Sequence, residues 1–216
     1  MTTNSRDNRT QIDTGMTMMI VFHDAFRRDL GRLGAFCAGP ATSNPPEGWR
    51  YFKQQLIAHH ALEDSAVWPT VARAVADRPG DADILRAMEL EHEQVAPALA
   101  AVDDCLARDH DRLVSACNSL ISIVGGHLSH EEREALPLVA QLLGLPEFAE
   151  IQAEIQAETR VALQDEIPGL LPWLLDEATP YQQQAVLDTF PVPVQDLYRE
   201  VWFPNYQLTN PWEITR

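Results

Sequence analysis

The stretch HLSHEEREALP, residues 127–137, repeats the plan of HHALEDSAVWP, residues 59–69. With Pro137 set over Pro69, an offset of 68, His127 falls on His59, Glu131 on Glu63 and Glu132 on Asp64. The element common to both is therefore H-x-x-x-E. On a helix, residues four apart share a face, so each pair aims one imidazole and one carboxylate the same way. His60 falls on Leu128 and His130 on Leu62, so neither belongs to the shared pattern. The repeat extends upstream, because His92 lies 69 residues after His23. Each half is then a helix with one histidine, followed 36 or 35 residues later by H-x-x-x-E on a second helix.

The periodicity around these stretches is helical throughout. Helices are expected over 16–36, with Phe22, Phe26, Leu30 and Leu33 on one face, and over 46–68, 82–107 and 111–135. The loops AGPATSNPPEG and DRPGDAD, rich in Pro, Gly and polar residues, separate the first three. Proline lacks an N–H and crowds the carbonyl four residues back. Pro69 and Pro137 are therefore expected to break or restart their helices, and Pro97 to kink the third. Long helices joined by short loops predict an all-α protein, with an up-down antiparallel four-helix bundle over 16–143. Residues 1–15 are polar, lack the apolar core of a signal peptide, and are expected to form a flexible N-terminal tail. Residues 147–216 are expected to form a helical C-terminal extension packed on the bundle. That extension opens with the amphipathic PEFAEIQAEIQAETRVALQDE and continues in short proline-bounded pieces. Within it, Thr179-Pro180 reads as an N-cap followed by an N1 proline.

A formal net charge of -16 repels nucleic acid and anionic membrane, so neither is expected as a partner. No run of about 18 apolar residues marks a membrane span. Cys37, Cys105 and Cys117 are odd in number and lack a C-x-x-C spacing. Buried packing in a reduced cytoplasm is the expectation for them. No glycine-rich phosphate loop, dinucleotide fingerprint or nucleophile–base pattern competes with the histidines.

Two αα-hairpins related by a pseudo-twofold can bring His23, His59, His92, His127, Glu63 and Glu131 to one bundle centre. Imidazole and carboxylate together suit a pair of first-row transition metals. Glu63 and Glu131 would bridge, His23 with His59 would hold one metal, and His92 with His127 the other. Without cations, two buried glutamates would repel each other. Iron fits best, because mixed nitrogen and oxygen ligation with vacant positions is typical of its non-haem sites; manganese and zinc are the alternatives. Gly125 and Gly126 stand just before His127 inside a helix, where each costs roughly 1 kcal/mol against alanine. Close helix approach, or room for a small ligand, is expected to offset that cost.

The segments FHDAF with His23, HHALEDSAVWP with His59 and Glu63, EHEQV with His92, and HLSHEEREALP with His127 and Glu131 resemble the hemerythrin-like (HHE cation-binding) family over 16–143. The resemblance implies a helical bundle with two iron ions, Fe2+/Fe3+, joined by an oxo or hydroxo bridge and binding O2, peroxide or NO. Oxygen-carrying relatives place two histidines four apart on the third helix. Here Met88 and Ala96 occupy the positions four residues either side of His92. A six-ligand site with an open position on each metal is implied instead. That favours an oxidoreductase, decomposing peroxide or oxidising a small molecule. The alternative is a module that binds or senses iron, oxygen or NO without turnover. His60 would be an auxiliary ligand, as an adjacent side chain is in some relatives. The aromatic extension, with Trp173, Trp202, Phe203, Tyr206 and Trp212, is the expected readout surface of such a sensor and a candidate homodimer contact.

Overall fold

The computed structural model describes residues 4–39, 45–143 and 166–213. Among these residues every regular element is helical and no strand occurs. The helices are α1 (Asn4–Cys37), α2 (Glu47–Leu62), α3 (Trp68–Ala74), α4 (Pro79–Arg108), α5 (His110–His130) and α6 (Leu136–Leu143). After these come α7 (Ile167–Leu175), α8 (Pro180–Leu187), α9 (Val192–Leu197) and α10 (Phe203–Thr209). Three π-helical turns, Glu63–Val67, Glu131–Ala135 and Tyr198–Trp202, join α2 to α3, α5 to α6 and α9 to α10. No described helix is long and apolar enough to cross a membrane.

The prolines act differently from the expectation. Pro69 and Pro137 do not stop their helices. Each is preceded by a π turn that begins six residues earlier, at Glu63 and Glu131, and Pro204 repeats the spacing from Tyr198. Trp68 N–H bonds the Glu63 carbonyl, Leu136 N–H that of Glu131 and Phe203 N–H that of Tyr198, five residues back in each case. One widened turn lets the chain pass a residue that has no N–H to give. Pro97 has no such turn, and α4 runs through it without interruption. At the other end of the chain, α1 reaches back to Asn4, beyond the start at Met16 that periodicity predicts. A helix nucleated on a buried face extends through polar residues at little further cost.

The described chain forms two compact units. In the unit of Phe26–Leu138 and Pro211–Arg216, side-chain contacts link α1, α2, α4 and α5. Phe26 of α1 meets Phe52 of α2 edge-on, with centroids 6.0 Å apart. Trp49 Nε1 and Lys53 Nζ of α2 donate to Asp103 of α4 at 2.8 and 2.6 Å. His92 of α4 faces His127 of α5 across an antiparallel hairpin turned at Asp109. Cys117 of α5 is disulfide-bonded to Cys37 of α1. Leu33, Phe52, Leu56, Met88, Leu120 and Leu128 are fully buried, one stripe from each helix. Burying each such side chain contributes about 1.5–3 kcal/mol.

The disulfide corrects the reading of three buried thiols. All three cysteines are buried, but only Cys105 is free. The sequence separation of 80 between Cys37 and Cys117 hides a closeness that only the packing of α1 on α5 creates.

The chain leaves this unit after Leu138 and returns to it at Pro211. There Gly48 N–H donates to Pro211 O at 2.7 Å, at the start of α2. A Cβ on Gly48 would lie 2.5 Å from Trp212 Nε1, so only glycine fits beneath that ring.

The other unit comprises Met1–Ala25 and Val139–Asn210. In α7, Leu170, Leu171, Trp173, Leu174 and Leu175 are all buried, as a near-continuous apolar run requires. Trp173 packs on Phe22 with centroids 6.2 Å apart, and Gln182 Nε2 donates to Asp24 Oδ2 at 2.7 Å. The start of α8 is as the sequence predicts. Thr179 caps it, accepting from Gln182 N–H while the Gln182 side chain accepts from Thr179 N–H, and Pro180 is the first helical residue. The amphipathic segment expected from residue 146 lies, up to 165, outside the described residues.

Candidate metal centre

Each H-x-x-x-E element spans the end of an α-helix and the start of a π turn. Glu63 and Glu131 are the first residues of those turns. Turns of this kind recur at functional sites because they re-aim a side chain without ending the helix. His59 Nε2 lies 3.1 Å from Glu63 Oε1, and His127 Nε2 lies 3.7 Å from Glu131 Oε2. His92, from α4, places its Nε2 3.5 Å from Glu63 Oε2. Glu63 thus turns one oxygen toward His59 and the other toward His92. These five residues and His60 are all buried, between 0 and 8 % exposed.

Two donor sets result. His60, Glu63, His92 and His127 offer ligand atoms that all lie within 4.8 Å of one another. His59, Glu63 and Glu131 do the same, so Glu63 belongs to both sets. His23 lies fully buried on α1, three residues before Phe26, whose ring meets that of His59 at 5.2 Å.

His60 stands closer to this centre than the repeat implies. Its ring stacks on His92, 4.1 Å between centroids and 12° between planes, and meets His127 edge-on at 5.0 Å. The cause is local. Glu63 is four residues from His59 and three from His60, so both histidines flank one carboxylate on one helix face. Leu128, the counterpart in the second half, offers no ligand, and the centre is asymmetric.

Carboxylates outside the donor sets orient the rings. His92 Nδ1 is 2.7 Å from Asp64 Oδ1, and His127 Nδ1 is 3.0 Å from Glu91 Oε2. A carboxylate only accepts, so both Nδ1 atoms carry the proton and donate it. Glu91 takes a further bond from His130 Nδ1 at 2.7 Å, and Glu132 holds Arg27 through two bonds of 2.7 and 3.0 Å. Sequence reading missed Glu91 altogether, and found Asp64 only as an acid repeated at Glu132. The one available signal was the adjacency of Glu91 to His92.

With the Nδ1 atoms turned to Asp64 and Glu91, the Nε2 atoms of His92 and His127 are the ones left to bind a cation. They face each other at 3.1 Å. Burial, and next the neighbouring His92, push the pKa of His127 down, against the pull of Glu131 and Glu91. Two lone pairs at that distance repel unless a cation lies between them. Two metal–nitrogen bonds of about 2.1 Å, opened to roughly a right angle, span about 3 Å. The residues therefore fit a bound transition metal. Gly125 and Gly126 do not serve a close helix approach, since a Cβ on either meets nothing within 4 Å.

Buried imidazoles converging on shared carboxylates between helices define a class of cation-binding helical bundles. The hemerythrin HHE cation-binding domain family matches residues 14–139, more than half of the chain, and the protein belongs to that family. No curated protein and no solved structure matches the chain.

Proposed function

We propose that the chain is a non-haem di-iron oxidoreductase acting on peroxide or a small oxidisable molecule. The observation that carries this reading is the Glu63 carboxylate, with Oε1 toward His59 and Oε2 toward His92. In this reading His23, His59 and Glu131 serve one ion, His92 and His127 the other, Glu63 both, and His60 adds a donor beside His92. Three or more imidazoles with two carboxylates form a mixed set that suits a first-row transition metal such as iron over calcium. Iron so held supplies reversible electron transfer and positions for a small oxygen or nitrogen ligand.

The chain's own residues set the conditions. Asp64 and Glu91 hold the protons at Nδ1 of His92 and His127, which keeps each Nε2 lone pair aimed inward and raises its basicity. The Arg27–Glu132 pair fixes the π turn next to Glu131. Burial of Glu63 and Glu131 keeps bulk water from their oxygens. A homodimer through the extension is part of the proposal, supported by exposed Tyr181, Val192, Leu197, Val201 and Leu208. Light scattering tests that part.

The experiment is to purify the protein with iron, measure metal per chain, and record optical spectra while adding peroxide, O2 and NO separately. Two irons per chain and steady consumption of peroxide or an added reductant are expected. A stable adduct without turnover would make the chain a binding or sensing module instead. Failure to retain any metal would overturn the shared premise.

A further inference from the structure

The two donor sets at the metal centre are unequal. The first holds three imidazoles, His60, His92 and His127, and one carboxylate, Glu63. The second holds His59 with two carboxylates, Glu63 and Glu131. Glu131 Oε2 approaches His127 Nε2 at 3.7 Å, but it groups with His59 and Glu63. Glu63 divides its oxygens, with Oε1 3.1 Å from His59 and Oε2 3.5 Å from His92, so it serves both sets alike. Adding His23 to the second set, as the reading above does, still leaves two imidazoles there against three. The odd donor is His60. The repeat pairs it with Leu128, which is fully buried and has no ligand atom, so the second half of the chain supplies no counterpart.

Donor type decides which ion a position prefers. Imidazole nitrogen suits zinc, copper, nickel and iron, whereas carboxylate oxygen suits manganese and other hard ions. Charge runs the same way, because the second set brings two carboxylates to its ion and the first only one. Every member of both sets is buried, so bulk water does little to level the difference. Asp64 and Glu91 widen it. They lie against Nδ1 of His92 and His127, both in the first set, and make those rings stronger donors.

We propose that the two positions select different ions: a nitrogen-seeking divalent ion among His60, His92 and His127, and a harder ion of the manganese kind at Glu63, Glu131 and His59. His60 is the residue that sets the difference. Iron offered alone fills both positions, because it accepts mixed nitrogen and oxygen ligation. The inference therefore rests on the two-metal reading above and goes beyond it by giving each position its own selectivity.

The test strips the full chain with a chelator and reloads it with one equivalent each of Zn2+ and Mn2+. Zinc is magnetically silent, so electron paramagnetic resonance separates an isolated Mn2+ from a coupled pair in one chain. One zinc and one manganese per chain, with the isolated signal, are expected. Positions of equal preference would leave much of the manganese in coupled pairs, which would overturn the inference and leave the two-metal reading standing. His60→Leu gives the first half the residue of the second. It should weaken zinc retention by at least the tenfold that losing an outer partner of a ligand costs, and bring coupled pairs into the spectrum. Glu131→Gln should lose manganese and keep zinc. The proposal fails if His60→Leu gives the wild-type spectrum, or if Glu131→Gln loses zinc as readily as manganese. The wild-type spectrum is decisive by itself should either variant not fold. A chain that retains no ion would overturn the two-metal reading together with this inference.

Discussion

Glu63 follows His59 by four residues and His60 by three, so one carboxylate serves two imidazoles on one helix face. Under the proposed assignment His60 is a donor, and His60→Ala should weaken retention of one ion about tenfold or more, measured by metal content after chelator competition. Equal retention would return His60 to the auxiliary place that the repeat assigns it. Asp64→Asn keeps the shape but can no longer enforce the Nδ1 proton on His92. It should lower metal affinity about 10–100-fold without a change in helix content. The pairing of His59 with Glu63 and of His127 with Glu131 is legible in the sequence, because both partners lie on one helix turn. Asp64 with His92 and Glu91 with His127 are not, because 28 and 36 residues separate them and helix packing alone closes the distance.

The helices carry their own tests. Gly126 is exposed on α5 with nothing within 4 Å of a Cβ, so Gly126→Ala should raise stability by about 0.5–1 kcal/mol in chemical denaturation. A loss of metal affinity in the same variant would show that the space beside His127 is used by a ligand. Tyr198 lies in the third π turn, and its phenol is held protonated by burial. A folded-state pKa above the ordinary value of 10 gives stability that is complete below about pH 10 and lost as pH rises to about 12. The wild type should therefore lose stability relative to Tyr198→Phe across that window, read from paired denaturation curves. Helix positions follow from periodicity, and the loop prolines from local chemistry. The π turns do not, because proline's missing N–H can end a helix, kink it, or be absorbed in one wide turn. Pro97 and Pro69 carry the same local signal and have different outcomes.

For the whole molecule, two contacts tie distant parts of the chain. Cys37 and Cys117 close a loop of 80 residues, and the chain-entropy account of such a loop gives roughly 4.5 kcal/mol. Reduction, or Cys37→Ser with Cys117→Ser, should lower the unfolding free energy by about 2–5 kcal/mol, measured in denaturant with and without reductant. The Pro211–Trp212 segment returns to the start of α2 over Gly48. Gly48→Ala must displace the Trp212 ring and should cost about 1–3 kcal/mol, with a shift in tryptophan emission. Sequence alone determined the helical class, the repeat, and the two His–Glu pairs, because each of these is a relation within a few residues along one helix. Only the tertiary structure decided that His60 joins them, that Glu91 and Asp64 orient the rings, that Cys37 meets Cys117, and that Gly48 lies under Trp212. Those are meetings between elements, and a sequence read along one chain direction carries no distance between them.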